Sequence, residues 1–271
     1  MKICSIASGS SGNCIYLETE QSRILIDAGY SAKQIEILLK EANIDPRKLD
    51  AIFVTHEHSD HIQGVGVLSR RFHLPIYANR KTWEAMAGKL GKITPAHRFT
   101  FKNNQRFSFQ DLEIFPFPVH HDAADPVGYS FLCQDEKASI VTDTGVLDQG
   151  IMDAVQGSDI YYFEANHDVG MVLNGPYPQQ LKERILSDRG HLSNRQAGLA
   201  LSELLRGEDE VVLLAHMSMI NNNIRVCQDT VLSTLMEEGI DPKNHMKLLV
   251  APRLSPSALY TCTYPKKAVM D

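Results

Sequence analysis

Apolar positions along this chain fall into short runs separated by polar loops, and two periods can be read in them. Residues 2–7 and 14–18 flank the small-residue loop Ser8-Gly9-Ser10-Ser11-Gly12-Asn13 and predict two strands. Residues 23–29 predict a further strand, after which Ser31 caps an amphipathic helix carrying Ile35, Leu38 and Leu39 on its apolar side. Following the buried run 51–54, the pattern turns helical over 62–72, extended over 75–78 and helical again over 80–90. From about residue 97 it changes to alternation, and residues 106–109, 112–119, 128–133 and 138–142 predict the strands of a second sheet beginning there. Residues 159–164 and 211–214 read as buried strands, and 179–186, 196–205 and 224–236 as helices. The tail, 244–265, alternates strand-like segments with prolines. No internal repeat, low-complexity tract or linker interrupts the pattern, so one domain over residues 1–271 is expected.

The polar clusters sit where the buried runs end. Run 51–54 leads into His56-Glu57-His58-Ser59-Asp60-His61, four side chains of metal-ligand type within six residues. In an extended segment positions i and i+2 share a face, so His56 and His58 approach one cation together. Ser59-Asp60 reads as a helix start that turns Asp60 and His61 back over the same point. That makes two ligand pairs, one more than a single tetrahedral ion needs alongside ligands from elsewhere, and two metal ions are the inference. Other strand ends offer His121, Asp143 in Thr142-Asp143-Thr144-Gly145, and His216. An Asp before a glycine turn is also an ordinary turn former, so Asp143 draws its interest from the upstream cluster. His191 stands at the entrance of a helix capped by Ser193 or Asn194, and Asn166 and His167 follow strand 159–164. For the loop bearing Ser10, Ser11 and Asn13, a plain hairpin connection and a loop touching substrate phosphate both fit. Arg70, Arg71, Arg80 and Lys81 read as a solvated helix face.

Composition narrows the setting. Hydrophobic residues make up 43% and charged residues 22% of the 271, and no apolar run approaches the roughly 20 residues of a membrane span. Five cysteines without paired spacing, and no visible signal peptide, point to a reduced cytoplasmic protein. A net charge of -6 argues against bulk electrostatic coating of nucleic acid, so any such contact must be local.

The order His-x-His-x-Asp-His, strand-end His, Thr-Asp-Thr-Gly and final strand-end His resembles the metallo-β-lactamase superfamily over nearly the whole chain. The loop 8–13, His121-Asp122-Ala123-Ala124-Asp125-Pro126, Asn166-His167-Asp168, Gly190-His191-Leu192-Ser193-Asn194 and His216-Met217-Ser218 are similar, more narrowly, to the YycJ/WalJ (VicX) group. That resemblance implies an α/β four-layer αββα sandwich, two mixed sheets face to face with helices outside and the site at one edge. It implies one metal held by His56, His58 and His121, a second by Asp60, His61 and His216, and Asp143 bridging them, with Asp60 and His191 in catalytic roles. His191 is the implied proton donor to the leaving oxygen; Ser10, Ser11, Asn13, Asn166 and His167 are the candidate substrate-side groups. Only the histidine immediately before Asp matches the pattern, which favours His121 over His120 as ligand.

The expected cofactors are two divalent ions, zinc or manganese with iron also admitted by an all-N/O shell. Two such ions about 3.5–4 Å apart generate a bridging hydroxide near neutral pH and stabilise both oxygens of a phosphodiester displacement. The expected function is a metal-dependent phosphodiesterase or exonuclease on DNA, in the 5'-3' direction by resemblance, with no membrane partner. Competing expectations are a glyoxalase II-type thioesterase, a small cyclic-nucleotide phosphodiesterase, and a regulatory binding protein linked to a two-component cell-wall signalling system.

Overall fold

In the computed structural model, which describes residues 1–241 and 246–262, the first half of the chain builds β1 (Lys2–Ala7), β2 (Cys14–Glu18), β3 (Arg23–Ile26), α1 (Ala32–Glu41) and β4 (Ala51–Phe53). It continues through α2 (Ser59–Ile62), α3 (Val65–Phe72), β5 (Ile76–Asn79), α4 (Arg80–Ala85) and β6 (Arg98–Phe101). Then come β7 (Phe107–Phe109), β8 (Leu112–Pro118), β9 (Val127–Cys133), β10 (Glu136–Val141), α5 (Gln149–Val155) and β11 (Ile160–Glu164). Last are α6 (Val169–Asn174), α7 (Gln179–Leu186), α8 (Asn194–Leu204), β12 (Glu210–Ala215), α9 (Ile224–Glu237), β13 (Met246–Val250) and β14 (Tyr260–Thr261).

These strands form two seven-stranded sheets, β14-β1-β2-β3-β4-β5-β6 and β13-β12-β11-β10-β9-β8-β7. Each is mixed in the same way. Pairs from β14 to β3 are antiparallel and pairs from β3 to β6 parallel; β7 to β10 are antiparallel and β10 to β13 parallel. Successive side chains of a strand face opposite ways, so a strand buried on both faces feeds two cores. In β2, Cys14 and Tyr16 enter the core under α1 and α3, whereas Ile15 and Leu17 enter the core between the sheets. In β12, Val211 and Leu213 face that central core, and Val212 and Leu214 face α8 and α9. Three cores separate four layers, the expected αββα sandwich.

The differences from the sequence pattern are local and have causes. The helical stretch expected over 62–72 is split into α2 and α3, and between them the Gly64 N–H leaves the helical ladder to donate to the Ala28 carbonyl (2.8 Å). Helix α4 stops at Ala85 rather than continuing to 90, because Gly88 turns through a positive φ of 80° and Leu90 returns to the core. Residues 98–101 close the first sheet by pairing with β5, so the second sheet opens at Phe107 and not near 97. The tail's β13 joins the second sheet while β14 returns to the first, beside β1. Parts of that tail, His245 included, lie outside the described residues. Among the described residues no helix is long and apolar enough to cross a membrane, and no cysteine is in a disulfide.

Phe53 ties the sheets together. Its fully buried ring stacks on Tyr77 at 4.7 Å and meets Tyr129 and Phe131 of the opposite sheet edge-on at 6.1 Å. Truncating such a ring leaves a cavity worth about 3–5 kcal/mol. Phe53→Ala is therefore expected to lower the denaturation free energy by about that amount in a urea titration; an unmoved midpoint would contradict a shared central core.

Candidate metal centre

Six strand ends converge on one edge of the sandwich, the place where the carboxyl ends of strands leave room for a ligand. From the first sheet, β3 ends at Asp27 and β4 delivers His56, with His58 capping α2 and Asp60 and His61 lying within it. From the second, β8 delivers His121, β10 Asp143, β11 Glu164 and β12 His216. Main-chain bonds fasten α2 over the strand ends: Asn13 N donates to Asp60 O and Ala28 N to His61 O, both at 2.8 Å. The approach is so close that a Cβ on Gly29 would lie 1.7 Å from Asp60 O, which only glycine permits.

His56, His58 and His121 offer ligand atoms within 4.8 Å of one another, and so do His56, His61 and Asp143, and Asp60, His61 and His216. A fourth such group joins Asp143 and His216 to Glu164 and His191. All seven residues expected as ligands therefore gather in one place, with Asp143 in the middle. Its carboxylate stands 3.2 Å from His61 Nε2, 3.6 Å from His121 Nε2 and 3.5 Å from His216 Nδ1.

Two buried carboxylates that the sequence reading passed over set the imidazoles. Asp27 accepts from His61 Nδ1 (2.7 Å), Thr55 N (2.8 Å) and Thr55 Oγ1 (2.7 Å). Glu164, fully buried, accepts from His191 Nδ1 and His216 Nδ1, both at 2.8 Å, and from the backbone of Thr144 and Leu192. His121 Nδ1 is held in the same manner by the Gly190 carbonyl at 3.2 Å. With one ring nitrogen occupied by an oxygen acceptor, the other is left for a cation. The signal for both residues was an acidic side chain closing an apolar run, Ile24-Leu25-Ile26-Asp27 and Tyr161-Tyr162-Phe163-Glu164.

The electrostatics are those of a desolvated cluster. Burial opposes charge on His216, but Asp143 and the hydrogen bond to Glu164 outweigh it and lift its pKa to about 9. Burial also opposes the Glu164 carboxylate, yet the charge and hydrogen bonds of His191 and His216 hold its pKa at about 2. Burial pushes His56 well below the ordinary imidazole value, with His61 adding to the effect. His216 Nε2 and Asp143 Oδ2 are buried without a hydrogen-bond partner among the described residues. Unpaired buried polar atoms cost on the order of 1–3 kcal/mol each, which a divalent cation among them would offset. The imidazole and carboxylate donors fit zinc, manganese or iron.

The remaining candidates fall into separate places. His191 sits before α8, capped by Ser193 in a capping box with Gln196, and its ring lies 5.1 Å from those of His121 and His216. Asn13 is buried against the cluster, its amide 3.0 Å from His61 Nε2, whereas Ser10 and Ser11 are exposed and Ser11 pairs with the Tyr30 hydroxyl. Asn166 donates to the His216 carbonyl (2.7 Å). His167 is buried, and burial pushes its pKa down to about 4. His120 turns outward to Asp148, and His73 and His97 stand near each other away from the cluster.

Residues 22–217 match the model of the beta-lactamase superfamily domain. The chain belongs to that superfamily. It is 42% identical to exodeoxyribonuclease YycJ of Bacillus anthracis over 234 residues, 86% of this chain and 89% of the relative. To exodeoxyribonuclease WalJ of Streptococcus pneumoniae it is 43% identical over 241 residues, 88% and 90% of the two chains. Among solved structures it resembles the metallo-beta-lactamase fold protein YhfI of Bacillus subtilis, with a TM-score of 0.70, 17% identity and 94% and 98% coverage, a likeness of fold. The superfamily membership and the two-sheet architecture agree with the resemblance read from the histidine motifs.

Losing a carboxylate that orients metal-binding histidines lowers metal affinity by about 10–100-fold. Glu164→Gln is expected to weaken divalent-ion binding by that factor in a competitive chelator titration, with the fold retained by circular dichroism. Unchanged affinity would remove Glu164 from the support of His216.

Proposed function

We propose that this protein is a metal-dependent exonuclease acting on DNA through a binuclear centre. The observation that carries the reading is the convergence of six further nitrogen- and oxygen-donor residues on the buried Asp143 at the strand ends. The exodeoxyribonuclease names of relatives matched over about nine-tenths of their length supply the substrate. In this reading His56, His58 and His121 hold one ion, Asp60, His61 and His216 hold the second, and Asp143 lies between them. The bound pair would supply water activation near neutral pH and charge stabilisation at the phosphodiester oxygens. No cysteine stands among the donors, so the all-N/O shell admits zinc, manganese or iron.

The chain's own residues do the rest. Glu164 holds His191 by Nδ1, which leaves Nε2 as the atom that passes a proton to the departing oxygen. Because the same carboxylate holds His216, the proton donor and a metal ligand share one anchor and keep a fixed separation. Asn13 and Asn166 brace His61 and the His216 backbone, a supporting role beside the substrate. Ser10 and Ser11, both exposed, are the candidate substrate-side groups, whereas the buried His167 stands behind the cluster-side strand end rather than at the surface. Five cysteines, none of them in a disulfide, suit a reducing, cytoplasmic setting.

Purified protein should carry two ions per chain by elemental analysis, and Asp143→Ala should lose most of them. Full occupancy in that variant would remove Asp143 from the bridging position. Activity belongs on end-labelled single- and double-stranded DNA; turnover confined to RNA, a cyclic nucleotide or a lactoyl thioester in the same panel would replace the substrate assignment. For His191→Ala the expectation is unchanged metal content with a rate lower by ~10²- to 10⁴-fold, the usual size of a general-acid contribution. A rate equal to wild type would return His191 to a structural role at the α8 entrance.

A further inference from the structure

A polyanionic strand approaching a chain of net charge -6 needs cations placed at the site itself. Most surface arginines do not offer that. Arg71, Arg80, Arg195 and Arg225 each pair with a Glu or Asp on their own patch of surface. Arg184, in the last turn of α7, is different. Its Nε donates to Asp122 Oδ2 at 2.6 Å, and the other oxygen of Asp122 lies 3.3 Å from Nε2 of His121, inside the metal cluster. The hydrogen bond to Asp122 raises the guanidinium pKa most, and the charges of Asp143 and Asp60 raise it further. Its side chain is 52% exposed, and among the described residues neither Nη group donates a hydrogen bond.

The backbone of Arg184 is registered on the same centre. Gly190, whose carbonyl holds His121 and which precedes His191, packs so closely that a Cβ there would fall 2.3 Å from the Arg184 carbonyl. Ser187 Oγ donates to that carbonyl at 2.8 Å and closes the turn. Arg184 is thus fixed at both ends, by its backbone beside His191 and by its Nε beside His121. The free edge of a planar guanidinium presents parallel N–H groups that match two phosphate oxygens.

We propose that Arg184, oriented by Asp122, binds through its Nη edge the backbone phosphate next to the scissile one and sets the register of the DNA strand over the cluster. The inference rests on the nuclease reading above. Phosphate contacts of this kind position a strand without reading its bases, so the effect is the same for any sequence. Asp122 fixes the direction of the fork and leaves the opposite edge to the substrate. A lysine in this place keeps the charge and loses the fork.

The test compares the holoenzyme with Arg184→Gln, Arg184→Lys and, as a remote charge control, Arg195→Gln. Substrates are an end-labelled single-stranded DNA oligonucleotide and a chromogenic aryl phosphodiester that carries a single phosphate. For Arg184→Gln, KM on the oligonucleotide should rise about 10-fold, and the salt dependence of log kcat/KM should flatten by roughly 0.7, the share of one phosphate contact on a single strand. Turnover of the aryl diester and bound metal should match wild type. Arg184→Lys should fall between the two, and Arg195→Gln should match wild type on both substrates. An equal loss on both substrates, or loss of metal, would make Arg184 a prop for Asp122 and His121 and overturn the proposal. So would an unchanged KM while wild type cleaves DNA, which leaves the nuclease reading standing. Wild-type hydrolysis of the aryl diester without any DNA cleavage would overturn both.

Discussion

A carboxylate removed from water is strongly unfavourable unless hydrogen bonds or cations replace its hydration, and the centre of this molecule is arranged around that constraint. Asp27 closes β3 of the first sheet and Glu164 closes β11 of the second, and each is buried. Each is satisfied by imidazole N–H donors and by hydroxyl or backbone donors from the neighbouring strand end. The imidazoles so held are His61 from one sheet and His191 and His216 from the other. The two sheets therefore share more than an apolar core. Each supplies an anchor, and Asp143 sits where the anchored histidines meet.

This explains which parts of the site were legible in the sequence. His56, His58, Asp60 and His61 stood out because four donors crowd at the end of one apolar run, a local pattern that strand and helix periods convert directly into a shared face. His121, Asp143 and His216 were legible as strand-end residues, and the structure brings them to the same place. Glu164 was not legible. Its meaning depends on His191 and His216, 27 and 52 residues further along, and nothing adjacent distinguishes it from an acidic residue that ends a strand. Asp27 was hidden for the same reason, its histidine partner being 34 residues away.

The fold was legible to a similar degree. Alternation and helical period located nearly every strand and long helix, but which sheet an edge strand joins is a tertiary choice. Residues 98–101 carry a strand pattern that either sheet accepts, and parallel pairing with β5 decides it. The split between α2 and α3 is also tertiary. Residues 62–72 have a continuous helical pattern, and the Ala28 carbonyl captures the Gly64 N–H. The break leaves α2 a single turn, and main-chain bonds from Asn13 and Ala28 hold Asp60 and His61 over the strand ends.

The backbone at the site records the same compromise. Asp27, Asp143 and His216 adopt left-handed φ values of 60°, 56° and 53°, each within two residues of the end of a strand that runs parallel to a neighbour. For non-glycine residues that conformation costs roughly 1–2 kcal/mol. Aspartate tolerates it through local side-chain hydrogen bonds, and glycine would relieve it altogether. At His216 the surroundings also compensate: Ser8 Oγ accepts from its N–H at 2.8 Å, Asn166 donates to its carbonyl at 2.7 Å, and Glu164 holds its ring. Three contacts from distant segments thus maintain one strained residue whose ring reaches the cluster. A relaxed backbone could be had at each of these positions only with a residue that brings no donor, so the strain is confined to places where the side chain carries the chemistry.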